Sequence, residues 1–358
     1  MNNSKTFIVI FITSITFLFL IIASLNFFVD PLNLFSDSDD KSLEARLART
    51  LAENENIVTK NMDERKFQLY RIRYEKFEPD VIIVGASRVM QIGKNSFSKH
   101  SLNLGVSGAT VEDHVALLDL ATTKFNPKTL IIGTDPWIFN SASGQKRWQS
   151  LKTEYENAII KIQPEITKNQ TISSGFYDQL INYAYTKESL SELYKRYKNP
   201  DDVDIQYVQS DAPLWDRDII RKDGSRVYNK KYAERSQEDL ATEVDGWIEY
   251  SMSSYSYSQK LLKTFSALLD HYNKNYEVIL LLSPYHPLAY KKILEKKRII
   301  VEVENRIRSI ASASNIQVIG SYNPSKNKCT VEEFYDGAHP KDICMRRVMN
   351  ELNGIDSK

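Results

Sequence analysis

The sequence has no surplus charge of either sign: Lys plus Arg number 47 and Asp plus Glu 46 in 358 residues. No global field therefore draws the chain toward nucleic acid or an acidic polymer, and no basic stripe supplies a local one. Cysteine is nearly absent, with only Cys329 and Cys344. Tetrahedral zinc needs four ligands, and no paired Cys or His motif accompanies these two, so no metal site is expected. The Gly-x-Gly-x-x-Gly fingerprint is also missing, and no nucleotide cofactor is expected. No internal repeat or low-complexity tract stands out. The 42% hydrophobic content suffices for one large core or two modest ones, which leaves an ordinary folded enzyme open.

The strongest local signal is Phe7 to Val29, an uncharged apolar run of 23 residues. About 20 such residues span a bilayer as a helix. A cleaved signal peptide would have a shorter apolar region, about 7 to 15 residues, ending at a small-x-small site. Here the run ends in Leu25, Asn26, Phe27 and Phe28, which favours an uncleaved anchor. Lys5 precedes the run, while Asp30, Asp37, Asp39 and Asp40 follow it. This charge order predicts a short cytoplasmic tail over 1–6, an anchor over 7–29 and the remaining chain outside, in the periplasm or beyond the cell.

Residues 30–78 read as a helical connector, with Leu, Ile and Phe at helical spacing in Lys41 to Asn54 and Met62 to Phe77. From Pro79 short apolar runs end in glycine or serine: Val81 to Val84, Ser101 to Leu104, Thr129 to Ile132, Val278 to Leu282 and Ile316 to Ile319. Helical patterns at Val111 to Thr123, Trp247 to Asn273, Tyr290 to Ser314 and Lys341 to Leu352 alternate with them. Strands separated by helices of this length imply a three-layer α/β body over 79–354 with a parallel sheet.

Between 139 and 245 the alternation lapses into a polar, tyrosine-rich insertion read as helix and loop. Its Tyr177, Tyr183, Tyr185, Tyr194, Tyr197, Tyr207, Trp148 and Trp215 either stack on sugar rings or pack inside a helical subdomain.

Chemistry concentrates at strand ends, where open α/β sheets bind ligands. Gly85-Ala86-Ser87-Arg88 follows the first run, and its serine is either a nucleophile or a helix cap. Asn103-Leu104-Gly105-Val106-Ser107-Gly108 follows the second, with glycines that permit backbone N–H groups to face an oxyanion. Gly133-Thr134-Asp135 follows the third. Phe334-Tyr335-Asp336-Gly337-Ala338-His339 precedes the last helix, and an Asp three residues before a His can orient the imidazole while its other nitrogen takes a serine proton. Of the five histidines, only His339 has a loop carboxylate at this offset. His286, between Pro284 and Pro287, is a candidate for substrate contact or a structural loop residue. His100, His114 and His271 offer nothing beyond surface or helix positions.

Taken in order, Ser87, Gly108, the Gly-Thr-x block ending at Asp135, and the C-terminal Asp336-x-x-His339 resemble the SGNH (GDSL-like) hydrolase superfamily. The likeness spans Pro79 to Trp137 and Glu277 to Leu352. It implies a flavodoxin-like α/β sandwich and a catalytic triad of Ser87, Asp336 and His339. The α/β-hydrolase elbow fits less well, because its second glycine position is occupied by Val89. An anchor followed by Gly-Ala-Ser-Arg is similar to envelope proteins that move acyl groups on surface glycans, including alginate-type O-acetyltransferases. The expected partners are therefore a cell-envelope glycan, an acyl donor, and membrane acyltransferase or export-complex proteins. The rival expectation is a non-catalytic scaffold of polysaccharide export.

One departure concerns Asp135. The third block of the family usually supplies an Asn to the oxyanion hole, and an ionised carboxylate there would repel the oxyanion. Loss of such a donor costs roughly 3 to 4 kcal/mol. The expectation is that Asp135 pairs with Arg88, while the N–H groups of Ser87 and Gly108 receive the oxyanion. Cys329 and Cys344 bracket the Asp336–His339 segment, and either a disulfide or two buried thiols fits the spacing.

Overall fold

The computed structural model describes residues 2–30, 42–53, 56–59, 61–94, 96–97, 100–165, 180–198, 205–236, 238–244, 255–296 and 299–352. Asp37, Asp39, Asp40, Tyr177 and Trp247 lie outside the described residues. The helices are α1 Asn2–Val29, α2 Leu43–Glu53, α3 Glu64–Tyr74, α4 Val111–Lys124, α5 Lys152–Ile162, α6 Tyr183–Lys198, α7 Lys230–Ala233, α8 Gln259–Tyr272, α9 Pro287–Lys296, α10 Ile299–Ala313 and α11 Asp342–Met349. The strands are β1 Asn56–Val58, β2 Val81–Val84, β3 Ser101–Asn103, β4 Thr129–Gly133, β5 Ile219–Arg221, β6 Arg226–Val227, β7 Glu277–Leu282 and β8 Gln317–Gly320.

The chain divides into two units, 1–46 with 167–204, and 47–166 with 205–358. The second unit is an α/β body whose five-stranded sheet runs β3-β2-β4-β7-β8 with every pair parallel. In chain order this is 2-1-3-4-5, consistent with a flavodoxin-like fold. Alternation along the strands makes the layers. Ile82, Val84, Leu130, Ile132, Leu280 and Leu282 face the core that includes Val115 and Leu118 of α4, Phe265 and Leu268 of α8, and Val303 of α10. Val81, Ile83, Ile131, Ile279, Leu281 and Ile319 face the other, closed by Met345, Val348 and Met349 of α11. Side chains two apart share a face, so these β-branched and leucine runs fill both cores.

The connector and the insertion differ from the expectation of helix and loop. β1 lies within 30–78 and pairs antiparallel with β5, which pairs antiparallel with β6, so two distant segments build one small sheet. A helical reading failed here because three-residue strands are too short to display a period. α3 is likewise no exposed linker, since Arg65, Phe67, Gln68, Tyr70, Arg71 and Ile72 are buried. The helix expected over Tyr290 to Ser314 is two helices, α9 and α10. Tyr255–Ser258, expected within a helix, precedes α8, and Tyr257 forms a bridge with Asn140.

The first unit contains α1, of which Lys5–Val29 is long and apolar enough to cross a membrane, with no residue of its most hydrophobic window buried. α6 packs beside it. Of the insertion's aromatics, Tyr185 is buried, whereas Tyr183, Tyr194 and Tyr197, and in the second unit Tyr207 and Trp215, are exposed.

Candidate active site

β2 delivers Ser87 into a 3-10 turn, Ser87–Val89, at the carboxyl edge of the sheet. Gly85 and Gly133 let this turn sit down on β4. A Cβ at Gly85 would lie 3.1 Å from the Cα of Gly133 and 2.8 Å from Val89 Cγ2. Thus Val89, where another fold would need glycine, fills the space between the two strand ends. Buried Asn103 ties the next strand end to this turn, donating from Nδ2 to the carbonyls of Val89 (2.7 Å) and Ile92 (2.8 Å) and accepting from Gly105 N–H (2.8 Å).

Ser87 Oγ lies 2.7 Å from His339 Nε2, and His339 Nδ1 lies 2.7 Å from Asp336 Oδ2. The other carboxylate oxygen, Oδ1, accepts from the backbone N–H groups of Ala338 and His339, each at 2.7 Å. A carboxylate held at both oxygens fixes the plane of the imidazole it faces. Burial alone would raise the Asp336 carboxyl, but His339, Tyr232 and the Ala338 N–H outweigh it and hold the group well below the usual carboxylate range. Asp336 is therefore an anion at neutral pH and an acceptor for the imidazole N–H.

The segment carrying this pair is closed by a disulfide between Cys329 and Cys344. Both cysteines share a small buried cluster with Phe334. The 15-residue separation brackets Asp336 and His339, so the crosslink restrains the loop that must meet Ser87.

Over residues 81–353, from β2 past the end of α11, the sequence matches DUF1574, a family described as protein of unknown function. The chain belongs to this family. No curated protein matches it. The matched span contains Ser87, Gly108, Asp135, Asp336 and His339 and excludes α1, α2, β1 and α3.

Arg88 and Asp135 are not exposed toward a ligand. Arg88 is fully buried and donates from Nη1 to Asp135 Oδ1 (2.7 Å), from Nε to the Ala338 carbonyl (2.9 Å) and from Nη2 to the Ser283 carbonyl. Its guanidinium stacks 3.9 Å from the centre of the Tyr285 ring. Arg88 follows the serine in a tight turn, so its side chain departs in a different direction, into the protein. There it joins the Ser87 turn to the loop bearing His339. This supplies the expected pair with Asp135. Burial pushes the Asp135 carboxyl up, against the opposing pull of Arg88 and His339.

Among the described residues, no protein acceptor takes the backbone N–H of Ser87 or Gly108. Gly108 has φ +56°, a left-handed conformation that favours glycine, whereas a Cβ there would meet only the movable end of the exposed Arg147, Nη2 at 2.5 Å. His286, by contrast, is buried, accepts from Leu288 N–H through Nδ1 (3.1 Å) and lies edge-on to Phe334. It caps α9.

Several contributors were invisible in the sequence. Tyr232, on α7, donates its hydroxyl to Asp336 Oδ2 at 2.6 Å and lies 3.3 Å from His339 Nδ1. Tyr228 donates to the Ser87 carbonyl at 3.1 Å, and Tyr335 stacks on Tyr232 with ring centres 5.3 Å apart. Tyr232 and Tyr228 thus border the imidazole, and Tyr335 packs against both. From α3, Glu64 accepts the Ser107 N–H at 2.6 Å, Arg65 pairs with Asp113 at 2.8 Å, and Gln68 donates to the Gly105 carbonyl at 3.1 Å. These contacts fix the Gly105–Gly108 loop from behind. Asp63, the α3 cap at the head of a buried aromatic pattern, was the available signal. A cleft of about 380 Å³ opens beside this loop, lined by Thr59, Asn61, Ser107, Arg147, Ser150 and Arg226 among others.

Proposed function

We propose that the protein is a serine-dependent acyl-transfer enzyme, an O-acyltransferase or esterase of the SGNH (GDSL-like) type, acting on a cell-envelope polysaccharide. The observation that carries this reading is the unbroken relay from Ser87 Oγ through His339 to Asp336, with both links at 2.7 Å. A helix cap needs no imidazole, and a scaffold has no use for a serine, an imidazole and a carboxylate aligned within hydrogen-bond reach.

In this mechanism Ser87 Oγ attacks the ester carbonyl as His339 Nε2 takes its proton, and Asp336 stabilises the resulting imidazolium. The N–H groups of Ser87 and Gly108 receive the oxyanion. Collapse expels the alcohol, which takes the proton back from His339 and leaves an acyl-serine. A sugar hydroxyl or water, deprotonated by the same nitrogen, then resolves the acyl-serine. No residue in this scheme needs a metal or nucleotide cofactor.

Three observations support the setting. α1 is long and apolar enough to anchor the chain, the Cys329–Cys344 disulfide suits an oxidising compartment, and the cleft beside Ser107, although lined by none of Ser87, Asp336 and His339, offers hydroxyl, amide, carboxylate and guanidinium groups to a polyhydroxylated ligand. The Asp135 carboxylate, the main argument for a scaffold, is turned to Arg88.

The test is hydrolysis of p-nitrophenyl acetate by the full chain in detergent, comparing wild type with Ser87→Ala. Loss of activity with Ser87 is expected; equal background rates in both, with and without an acetylated glycan present, would favour the scaffold.

A further inference from the structure

We infer that α6 is a second membrane-contacting element, an amphipathic helix whose tyrosine–leucine stripe lies in the headgroup region of the bilayer beside the end of α1. The inference concerns the anchor unit alone and is independent of the serine chemistry.

The first observation is where α6 is held. Asn26 lies in the last turn of the apolar helix, is fully buried and uses its whole amide on the α6 segment. It donates to the Leu180 carbonyl (2.9 Å) and to Thr186 Oγ1 (2.8 Å), and accepts from Ser189 Oγ (2.9 Å). Asp30, buried one turn later, accepts from the Tyr185 hydroxyl at 2.7 Å. A polar side chain inside an apolar span is costly unless it is satisfied by protein, and α6 satisfies this one. The pairing of Tyr185 with Asp30 and of Ser189 with Asn26 is antiparallel and confined to the end of α1, since residues 5–21 remain exposed. With α1 in a bilayer, this contact fixes α6 at the level of the membrane boundary.

The second observation is what α6 presents away from α1. Tyr185 and Ser189 form its buried face. Tyr183, Leu190, Tyr194 and Tyr197, spaced seven, four and three apart, share another face and are 84%, 53%, 59% and 84% exposed. Leu193, 47% exposed, borders them, and Ile181 precedes the helix at 58%. So large an apolar and aromatic stripe is unusual on a surface that faces only water. Tyrosine suits the boundary because its ring is apolar and its hydroxyl stays wet. Lys187 lies on the same face between Tyr183 and Leu190, and the Lys198 ammonium sits 5.4 Å from the Tyr194 ring centre, as expected of a stem lying on apolar surface with its charge at the headgroups. The exposed face of α1, Phe7 to Leu20, supplies the adjoining apolar surface.

Because both native cysteines are in the disulfide, one introduced cysteine gives a single labelling site in the full chain. Nitroxide labels at Leu190→Cys, Tyr194→Cys and Tyr197→Cys would be read by electron paramagnetic resonance in vesicles of phosphatidylcholine and phosphatidylglycerol. Ile15→Cys on α1 serves as lipid reference and Lys263→Cys, with a 74% exposed side chain, as aqueous reference. Collisions with oxygen exceeding those with a nickel chelate at the α6 sites, as at Ile15, are expected. Nickel-dominated collisions at α6 with oxygen-dominated ones at Ile15 would overturn the inference while leaving α1 in the bilayer. Labels shielded from both reagents would mean that a protein covers the stripe, which also overturns it. Nickel-dominated collisions at Ile15 itself would remove the anchor on which it rests.

Discussion

Tyr232 and His339 share one carboxylate oxygen: the tyrosine hydroxyl donates to Asp336 Oδ2 at 2.6 Å, and His339 Nδ1 meets the same atom at 2.7 Å. The tyrosine comes from the insertion and the other two residues from the C-terminal loop, so the insertion completes the relay. Burial and the neighbouring Asp336 carboxylate raise the Tyr232 phenol far above its usual range, so it stays protonated and remains a donor.

Tyr232→Phe removes that donor and keeps the ring stacked on Tyr335. Hydrogen bonds to charged groups contribute about 1.5 to 3 kcal/mol, so kcat/KM is expected to fall roughly tenfold to a hundredfold. Without the phenol, the Asp336 charge acts more fully on the imidazole, and the acid limb of the kcat/KM profile should move to higher pH. A lower melting temperature with an unmoved limb would reduce Tyr232 to a packing residue.

Asp135→Asn tests the buried pair. Breaking such a pair from one side costs about 3 to 5 kcal/mol where the remaining charge is left alone, and the Asn carbonyl still offers Arg88 one acceptor, so the loss should fall at or below the lower end. Thermal unfolding should show a lower Tm, and esterase activity should fall with it, because Arg88 also holds the Ala338 carbonyl beside His339. A large rise in activity would mean that Asp135 opposes the oxyanion after all.

His114 gives the pH dependence. It is wholly buried on α4 with neither ring nitrogen hydrogen-bonded among the described residues, and burial lowers it from 6.5 to about 4. The unfolded chain takes up this proton below about pH 6.5, whereas the folded chain resists until about 4. Stability should therefore be unaffected by this group above pH 6.5 and fall between 6.5 and 4, by about 3 kcal/mol in all. Urea unfolding at pH 7 and pH 5 checks it: His114→Leu should narrow the gap between the two midpoints, and an unchanged gap would assign the acid sensitivity elsewhere.

Reducing the Cys329–Cys344 disulfide, or replacing both cysteines with serine, releases a 15-residue loop. The expected destabilisation is about 3 kcal/mol. Activity should fall further than the unfolded fraction explains, since the freed loop carries Asp336 and His339. Activity that simply tracks the folded fraction would confine the disulfide to stability.

The sequence was most legible where side chains repeat or where chemistry needs neighbours in the chain. The runs Val81–Val84, Thr129–Ile132 and Val278–Leu282 declared buried strands, and Asp336 and His339 lie three residues apart in one loop. Ser87 was legible from its place after β2. Tyr232 was not, since it lies 104 residues from Asp336 and reaches it only because the Tyr228–Tyr335 cluster folds the insertion against that loop. Strands β1, β5 and β6 were hidden by their two- or three-residue lengths. Arg88 was placed correctly opposite Asp135, but its direction depended on a turn geometry that residue types alone do not specify.

The most direct test of the central claim is to trap the acyl-serine. The full chain, treated briefly with p-nitrophenyl acetate and quenched in acid, would be examined by peptide mass spectrometry. The account predicts one acetyl group on the peptide containing Ser87, absent in Ser87→Ala and greatly reduced in His339→Ala. Acetyl groups on surface lysines alone, with an unmodified Ser87 and no turnover with any acetylated glycan, would contradict it.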